Sequence, residues 1–204
     1  MIVIVDYDCG NLGSIKNMLK KIGFQSTISS DVNEITNASK IILPGVGSFD
    51  PGVRALKEKN LWDVLNKKVT EEKTPTLGIC LGMQLMTKGS QEGLEPGLGW
   101  IDAQVVKFPL NYNGQTYKVP NIGWNFIELK NEATLFQGLS EEPKFYFVHS
   151  YYVQCNVKQD IAAQCEYGIE YTCSFQRDNI YGVQFHPEKS HKHGMALLAN
   201  FANL

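Results

Sequence analysis

The run Thr76-Leu77-Gly78-Ile79-Cys80-Leu81-Gly82-Met83-Gln84-Leu85-Met86 constrains this chain more than any other. Pro75, Leu77 and Ile79 read as a short buried strand, and Leu81, Leu85 and Met86 as the apolar side of a helix that follows at once. Between them stands Gly-x-Cys-x-Gly, the thiol form of a turn in which a strained strand-to-helix corner exposes a nucleophile. The corner leaves no room for a Cβ at either glycine. The backbone amides that open a helix also present partial positive charge to a thiolate. The alternative is a buried structural cysteine, the usual fate of an isolated Cys. The paired glycines and the strand-to-helix switch weigh towards catalysis.

The chain around this corner alternates strand and helix. Ile2 to Val5 is a β-branched run suited to a strand buried on both faces of a parallel sheet. Asp6 to Asn11 turns, and Gly10-Asn11-Leu12-Gly13 lacks the residues of a P-loop or a dinucleotide fingerprint, so a plain turn is expected. Leu12 to Ile22 is a helix stopped by Gly23, Phe24 to Ser29 a strand, and Asp31 to Ala38 a polar helix or connection. Lys40 to Leu43 is a strand ending at Pro44-Gly45-Val46-Gly47, and Arg54 to Val69 is helical. With the Cys80 corner this makes four alternations. The expected fold is α/β, an open, mostly parallel, doubly wound sheet with helices on both faces.

After Gly89 the texture changes. Ile101 to Phe108, Lys118-Val119, Asn125 to Leu129, Phe145 to Val153, Ile161 to Glu166, Thr172 to Gln176 and Ile180 to Phe185 read as short strands of an antiparallel or mixed region. His193 to Phe201 closes the chain as a helix. No linker divides it, so residues 1–204 are read as one domain. The net charge of −2 gives no electrostatic footprint for nucleic acid or an anionic membrane. No apolar run approaches a membrane span, and Met1 to Val5 leads straight into Asp6 without a signal-peptide pattern. Five scattered cysteines argue against a disulfide framework and for a reducing cytoplasm.

A nucleophilic thiol needs a base, and the base needs a group to orient it. His191 and His193 read as solvated members of a polar loop, and His149 as either a site-lining or a core histidine. His186 ends an apolar strand with Glu188 two residues on, and in extended backbone such residues point the same way. A Cys80-His186-Glu188 triad follows, Glu188 fixing the imidazole tautomer. A metal site from His186, Glu188, His191 and His193 is the weaker alternative, because the spacing matches no zinc signature and leaves Cys80 without a purpose. The Leu81 amide and the Gly45-Val46-Gly47 loop can donate to an oxyanion, although that loop alone would read as a tight turn.

Together, Pro-Gly-Val-Gly at 44–47, Gly-Ile-Cys-Leu-Gly-Met-Gln at 78–84 and Gln-Phe-His-Pro-Glu-Lys-Ser at 184–190 resemble the class I (triad) glutamine amidotransferases. The runs 119–125 and 145–151, with Ile4-Val5-Asp6-Tyr7 and Gly10-Asn11, look like the glutaminase subunits of imidazole glycerol phosphate synthases. The resemblance implies that Cys80 attacks the side-chain amide of L-glutamine, with no metal and no cofactor. It implies glutamine contacts from Gly47, Gln84, Glu92, His149, Ser150 and Tyr151. It further implies a heterodimer with a (β/α)8 cyclase subunit that receives the ammonia, meeting it through Asn11, Trp124, Tyr146 and Lys189. The runs at 48–50, 99–102 and 191–195 look more like paralogues that feed ammonia to sugar amidotransferases in surface-polysaccharide synthesis. A cysteine peptidase or a related thiol hydrolase on a similar sheet is a further alternative. Gln84 and the Pro-Gly-Val-Gly loop argue against it.

Overall fold

The computed structural model describes residues 1–130 and 133–204. Its first half runs β1 (Ile2–Val5), α1 (Leu12–Lys21), β2 (Ser26–Ser29), α2 (Val32–Thr36), β3 (Lys40–Gly45), α3 (Phe49–Glu58), α4 (Leu61–Asn66), β4 (Thr76–Cys80) and α5 (Leu81–Leu85). The second half runs β5 (Ala103–Lys107), β6 (Asn111–Tyr112), β7 (Gln115–Thr116), β8 (Asn121–Phe126), β9 (Glu128–Leu129), β10 (Lys144–His149), β11 (Tyr151–Cys155), β12 (Ile161–Tyr167), β13 (Ile169–Arg177), β14 (Ile180–Val183) and α6 (His191–Ala202).

The main sheet has the order β2-β1-β3-β4-β14-β13-β11-β5. Strands β2, β1, β3, β4 and β14 are parallel, and β13, β11 and β5 continue the sheet antiparallel, with β12 paired to β13 and β9 to the far side of β12. This is the expected α/β architecture. Alternation along β1 shows how both faces are covered. Ile2 and Ile4 enter one core with Ile15 and Leu19 of α1 and Leu197 and Leu198 of α6. Val3 and Val5 enter the other with Ile35, Val53, Leu56, Leu61 and Leu85, carried by α2 to α5. Among the described residues no helix is long and apolar enough to cross a membrane.

Local signals explain several element ends. Asp31 caps α2, its carboxylate accepting from the amides of Asn33 and Glu34 at 2.6 and 3.2 Å. Gly23, at φ +91°, follows α1 as expected of a helix stop. The helix expected over Arg54 to Val69 is broken instead. Asn60 takes the left-handed conformation at φ 59°, separating α3 from α4, and residues 67–71 wind as a π-helical turn. Lys118-Val119 is not a strand; it leads to Pro120, and the hairpin β6–β7 precedes it. The expected strand Phe145 to Val153 is two strands. β10 pairs with β8 in a separate two-stranded sheet, and the chain turns at Ser150 to join the main sheet as β11. His191 and His193 open α6 and do not lie in a loop.

Candidate active site

Cys80 ends β4 and starts α5 at φ 54° and ψ −111°, a strained conformation for a residue with a side chain. The glycines make the corner possible. A Cβ on Gly78 would lie 2.8 Å from the backbone of Met83, and one on Gly82 would overlap the Leu43 carbonyl. Helix α5 is therefore folded back tightly over β3 and β4. It is only five residues long, so its effect on Cys80 comes from the amides of its first turn.

Parallel pairing places β14 beside β4, with Val183 opposite Ile79. The residues that follow β14 thus reach the thiol. His186, 2% exposed, donates from Nδ1 to Glu188 Oε1 at 2.8 Å. The approach is made by a 3-10 turn over Pro187–Lys189, not by the extended backbone expected from the i, i+2 spacing. Burial opposes charge on His186, but the Cys80 and Glu188 side chains together outweigh it and lift its pKa to about 9. His186 Nε2 is buried with no geometric hydrogen-bond partner among the described residues, and it faces the Cys80 sulfur, whose thiolate form favours the imidazolium. The remaining thiols, Cys9, Cys155, Cys165 and Cys173, are unbridged, and burial raises the pKa of each.

Cys80 and His186 wall a cavity of about 310 Å³. Val46, Gly47, Leu81, Gln84, Glu92, His149, Ser150 and Tyr151, all singled out from the sequence, line it too. Gly45 is paired opposite Cys80 on β3. Gly47 sits at φ +112° with open space where a Cβ would be, so its conformation and not crowding calls for glycine. Glu92 is held by the Phe49 amide, which donates to its Oε2 at 2.9 Å. His149 resolves into a wall residue that is also buried: its Nδ1 donates to the Tyr151 carbonyl at 2.8 Å, leaving Nε2 to accept from Asn121 and Tyr171 at 3.3 Å each. Burial lowers its pKa to about 4 against the Tyr151 bond, and the nearby His186 adds to the fall. A larger concavity of about 500 Å³ lies around Glu128, Glu141, Glu166 and Glu170, apart from all these groups.

Some contributors escaped sequence reasoning. Pro120 and Val148 line the cavity. Tyr171 and Asn121 orient His149, and nothing local in the sequence points to Tyr171. Gln184 donates from Nε2 to Cys80 Sγ at 3.7 Å; its signal was its place two residues before His186. The four groups of the metal alternative are not brought together. His193 bonds the Lys144 backbone and His191 stacks on Trp124.

Three of the four residues assigned to a partner face do gather. Trp124 and Tyr146 are cross-strand neighbours with ring centroids 6.0 Å apart, and Lys189 Nζ lies 5.7 Å from the Tyr146 ring centre. Asn11 is exposed at the start of α1, a helix that packs against the 187–189 turn. The Tyr146 backbone also touches the active site, its carbonyl accepting from the His186 amide at 2.9 Å.

Comparison with known proteins agrees with this geometry. The family model described as glutamine amidotransferase class-I matches residues 3–204. Imidazole glycerol phosphate synthase subunit HisH 2 of Methanococcus maripaludis is 55% identical, over 98% of each chain. The HisH subunit of Leptospira borgpetersenii is 46% identical over the full length of both. A crystal structure of a glutamine amidotransferase superposes with a TM-score of 0.77 at 18% identity, covering 100% of both chains. That structure speaks for the fold, and the family match and the two relatives speak for kinship. The chain belongs to the class-I glutamine amidotransferase family.

Proposed function

We propose that this chain is the glutaminase subunit of an imidazole glycerol phosphate synthase. It hydrolyses L-glutamine to glutamate and ammonia and hands the ammonia to a separate cyclase subunit in histidine biosynthesis. The observation that carries this reading is the buried His186–Glu188 pair whose free Nε2 shares a cavity with Cys80. Relatives bearing the HisH name match along the whole chain, which leaves the sugar-amidotransferase reading of residues 48–50, 99–102 and 191–195 without favour. The family membership and the Gln84-bearing cavity likewise leave the peptidase reading without support.

The chemistry follows from the groups present. The Cys80 proton passes to His186 Nε2, and Sγ attacks the side-chain carboxamide carbon. The Leu81 amide and one from the 45–47 segment hold the oxyanion. His186 returns its proton to the nitrogen as the C–N bond breaks and ammonia leaves. His186 then takes a proton from water, whose oxygen attacks the thioester carbon. The C–S bond breaks, glutamate forms and the sulfur is reprotonated. Glu188 keeps Nδ1 protonated throughout, so that Nε2 does the proton transfer.

Glu92 offers a carboxylate to the substrate ammonium, with Gln84, His149, Ser150 and Tyr151 completing the pocket. Asn11, Trp124, Tyr146 and Lys189 form the face for the cyclase partner. Residues 1–204 act as one domain, and the free thiols suit the cytoplasm. Glutamate release by the chain mixed with its substrate-loaded cyclase tests the reading. A mixture that consumes no glutamine would refute it.

A further inference from the structure

Gln184 is fully buried just beyond β14, where its backbone amide donates to the Cys173 carbonyl at 2.9 Å. The register that sets Val183 opposite Ile79 brings the next residue, Gln184, level with Cys80. We propose that Gln184 is a further catalytic residue, whose side-chain N–H is fixed on the Cys80 sulfur and holds its negative charge when the proton has left for His186.

The direction of this amide is set by its neighbours. Side-chain amides are ambiguous until their partners are known. Here the anchor is a backbone group that cannot reverse. The Tyr151 carbonyl only accepts, so Gln84 must turn its nitrogen towards it, at 3.2 Å. The same Gln84 nitrogen donates to Gln184 Oε1 at 3.0 Å. Gln184 therefore shows its oxygen to Gln84 and its nitrogen to Cys80 Sγ, at 3.7 Å. Reversing either amide would set like groups face to face. A polar relay thus runs from the pocket wall at Tyr151, through Gln84, to the nucleophile.

A donor to a charged acceptor is stronger than one to a neutral acceptor, so this N–H favours the thiolate over the thiol and over the thioester. The titratable groups around the sulfur are His186, with Glu188 behind it, Tyr7, whose hydroxyl a Cβ on Gly45 would overlap, and His149 and Glu92 on the cavity wall. In this structure His186 Nε2 and the Tyr7 hydroxyl make no hydrogen bond among the described residues, whereas Gln184 Nε2 meets Sγ at 3.7 Å with donor geometry; His186 joins it on the sulfur once it has taken the proton.

The inference rests on Cys80 being the nucleophile. Two variants test it in the full chain, Gln184→Met, which keeps volume and removes the donor, and Gln184→Glu, which keeps shape and offers an acceptor instead. With loaded cyclase, the rate of glutamate release should fall on the order of tenfold to a hundredfold in Gln184→Met, and further in Gln184→Glu. Alkylation of Cys80 by iodoacetamide, followed on the Cys80 peptide by mass spectrometry, should need a pH about one unit higher in both. If Gln184→Met does not fold, Gln184→Glu carries both measurements. A slower rate with an unmoved alkylation profile would make Gln184 a packing residue only and overturn the inference, as would wild-type values throughout. A Cys80→Ala chain that still releases glutamate would instead overturn the proposed function. An inactive Cys80→Ala chain beside unaffected Gln184 variants would remove only the role of Gln184.

Discussion

Glu188 Oε1 accepts from His186 Nδ1 at 2.8 Å across a single 3-10 turn that begins with Pro187. Both side chains are almost wholly buried, at 2% and 3% exposure, so the pair is shielded from competing water. Glu188→Gln should therefore lower kcat on the order of a thousandfold while leaving KM for glutamine nearly unchanged, since Glu188 works through the imidazole tautomer. Steady-state kinetics with the loaded partner decide it. Equal losses in both constants would place Glu188 in substrate binding.

Cys80→Ala should abolish glutamine-dependent synthesis by the complex and leave ammonia-dependent synthesis intact, because the nucleophile proposed for glutamine cleavage is a residue of this chain. Supplying ammonium salt to the mutant complex is the measurement. Failure of ammonia to rescue would give Cys80 a second role in the partner's chemistry.

Gly47 stands at φ +112°, a conformation closed to proline. In the proposed mechanism the 45–47 segment is to supply the second oxyanion donor, and the positive φ of Gly47 allows a peptide there to face either way. A missing donor costs about 10²–10³ in rate. The isolated chain should be a weak glutaminase that its loaded partner stimulates strongly, and Gly47→Pro should blunt the stimulation while iodoacetamide still modifies Cys80. Full activity of the isolated chain would end this account.

His149 and His186 should give stability opposite pH slopes. His149 is held to a pKa of about 4 against 6.5 in the unfolded chain, so between these values only the unfolded chain binds the proton, and stability falls as pH falls through that window. His186 is raised to about 9 from 6.5, so its contribution is full below pH 6.5 and is lost as pH rises through 9. Denaturant midpoints from pH 4 to 9 should show both limbs. His149→Asn should flatten the acid limb and His186→Asn the alkaline one.

Trp124 is 38% exposed and stacks on His191 with ring centroids 5.3 Å apart and planes 2° from parallel. An aromatic ring held in place and partly open to solvent suits a binding hot spot. Trp124→Ala should weaken partner binding by about 2 kcal/mol or more. Calorimetric titration with the cyclase measures it, and an unchanged affinity would move the partner to another face.

The Cys80 corner was readable because its cause is local: two glycines flank one residue, and hydrophobic periodicity changes across it. The 184–190 run was readable for the same reason, although the shape of its turn was not, since Pro187 fits the start of a helical turn as well as extended backbone. Asn60 and the Asn113-Gly114 turn also carried local signals, as Asn and Gly tolerate the positive φ values of 59°, 49° and 78° found there. Those signals were outweighed by the longer patterns around them. The break at Ser150 had no such sign. Phe145 to Val153 stays strand-like throughout, and only the positions of β8 and β5 decide which sheet each half joins. The hold of Tyr171 on His149 and that of Gln184 on Cys80 are likewise facts of pairing between distant strands.

Strand β10 has two clients. The Tyr146 ring belongs to the face assigned to the cyclase, and the carbonyl of the same residue receives the His186 amide. Its own amide donates to Ser190 Oγ, which in turn donates to the His186 carbonyl. The His186 peptide is thus held on one side by the Tyr146 carbonyl directly and on the other by the Tyr146 amide through Ser190 Oγ. On the proposed partner face, a substitution that moves the β10 backbone therefore also moves the groups that hold the His186 peptide, so a change made for docking is felt by the general base.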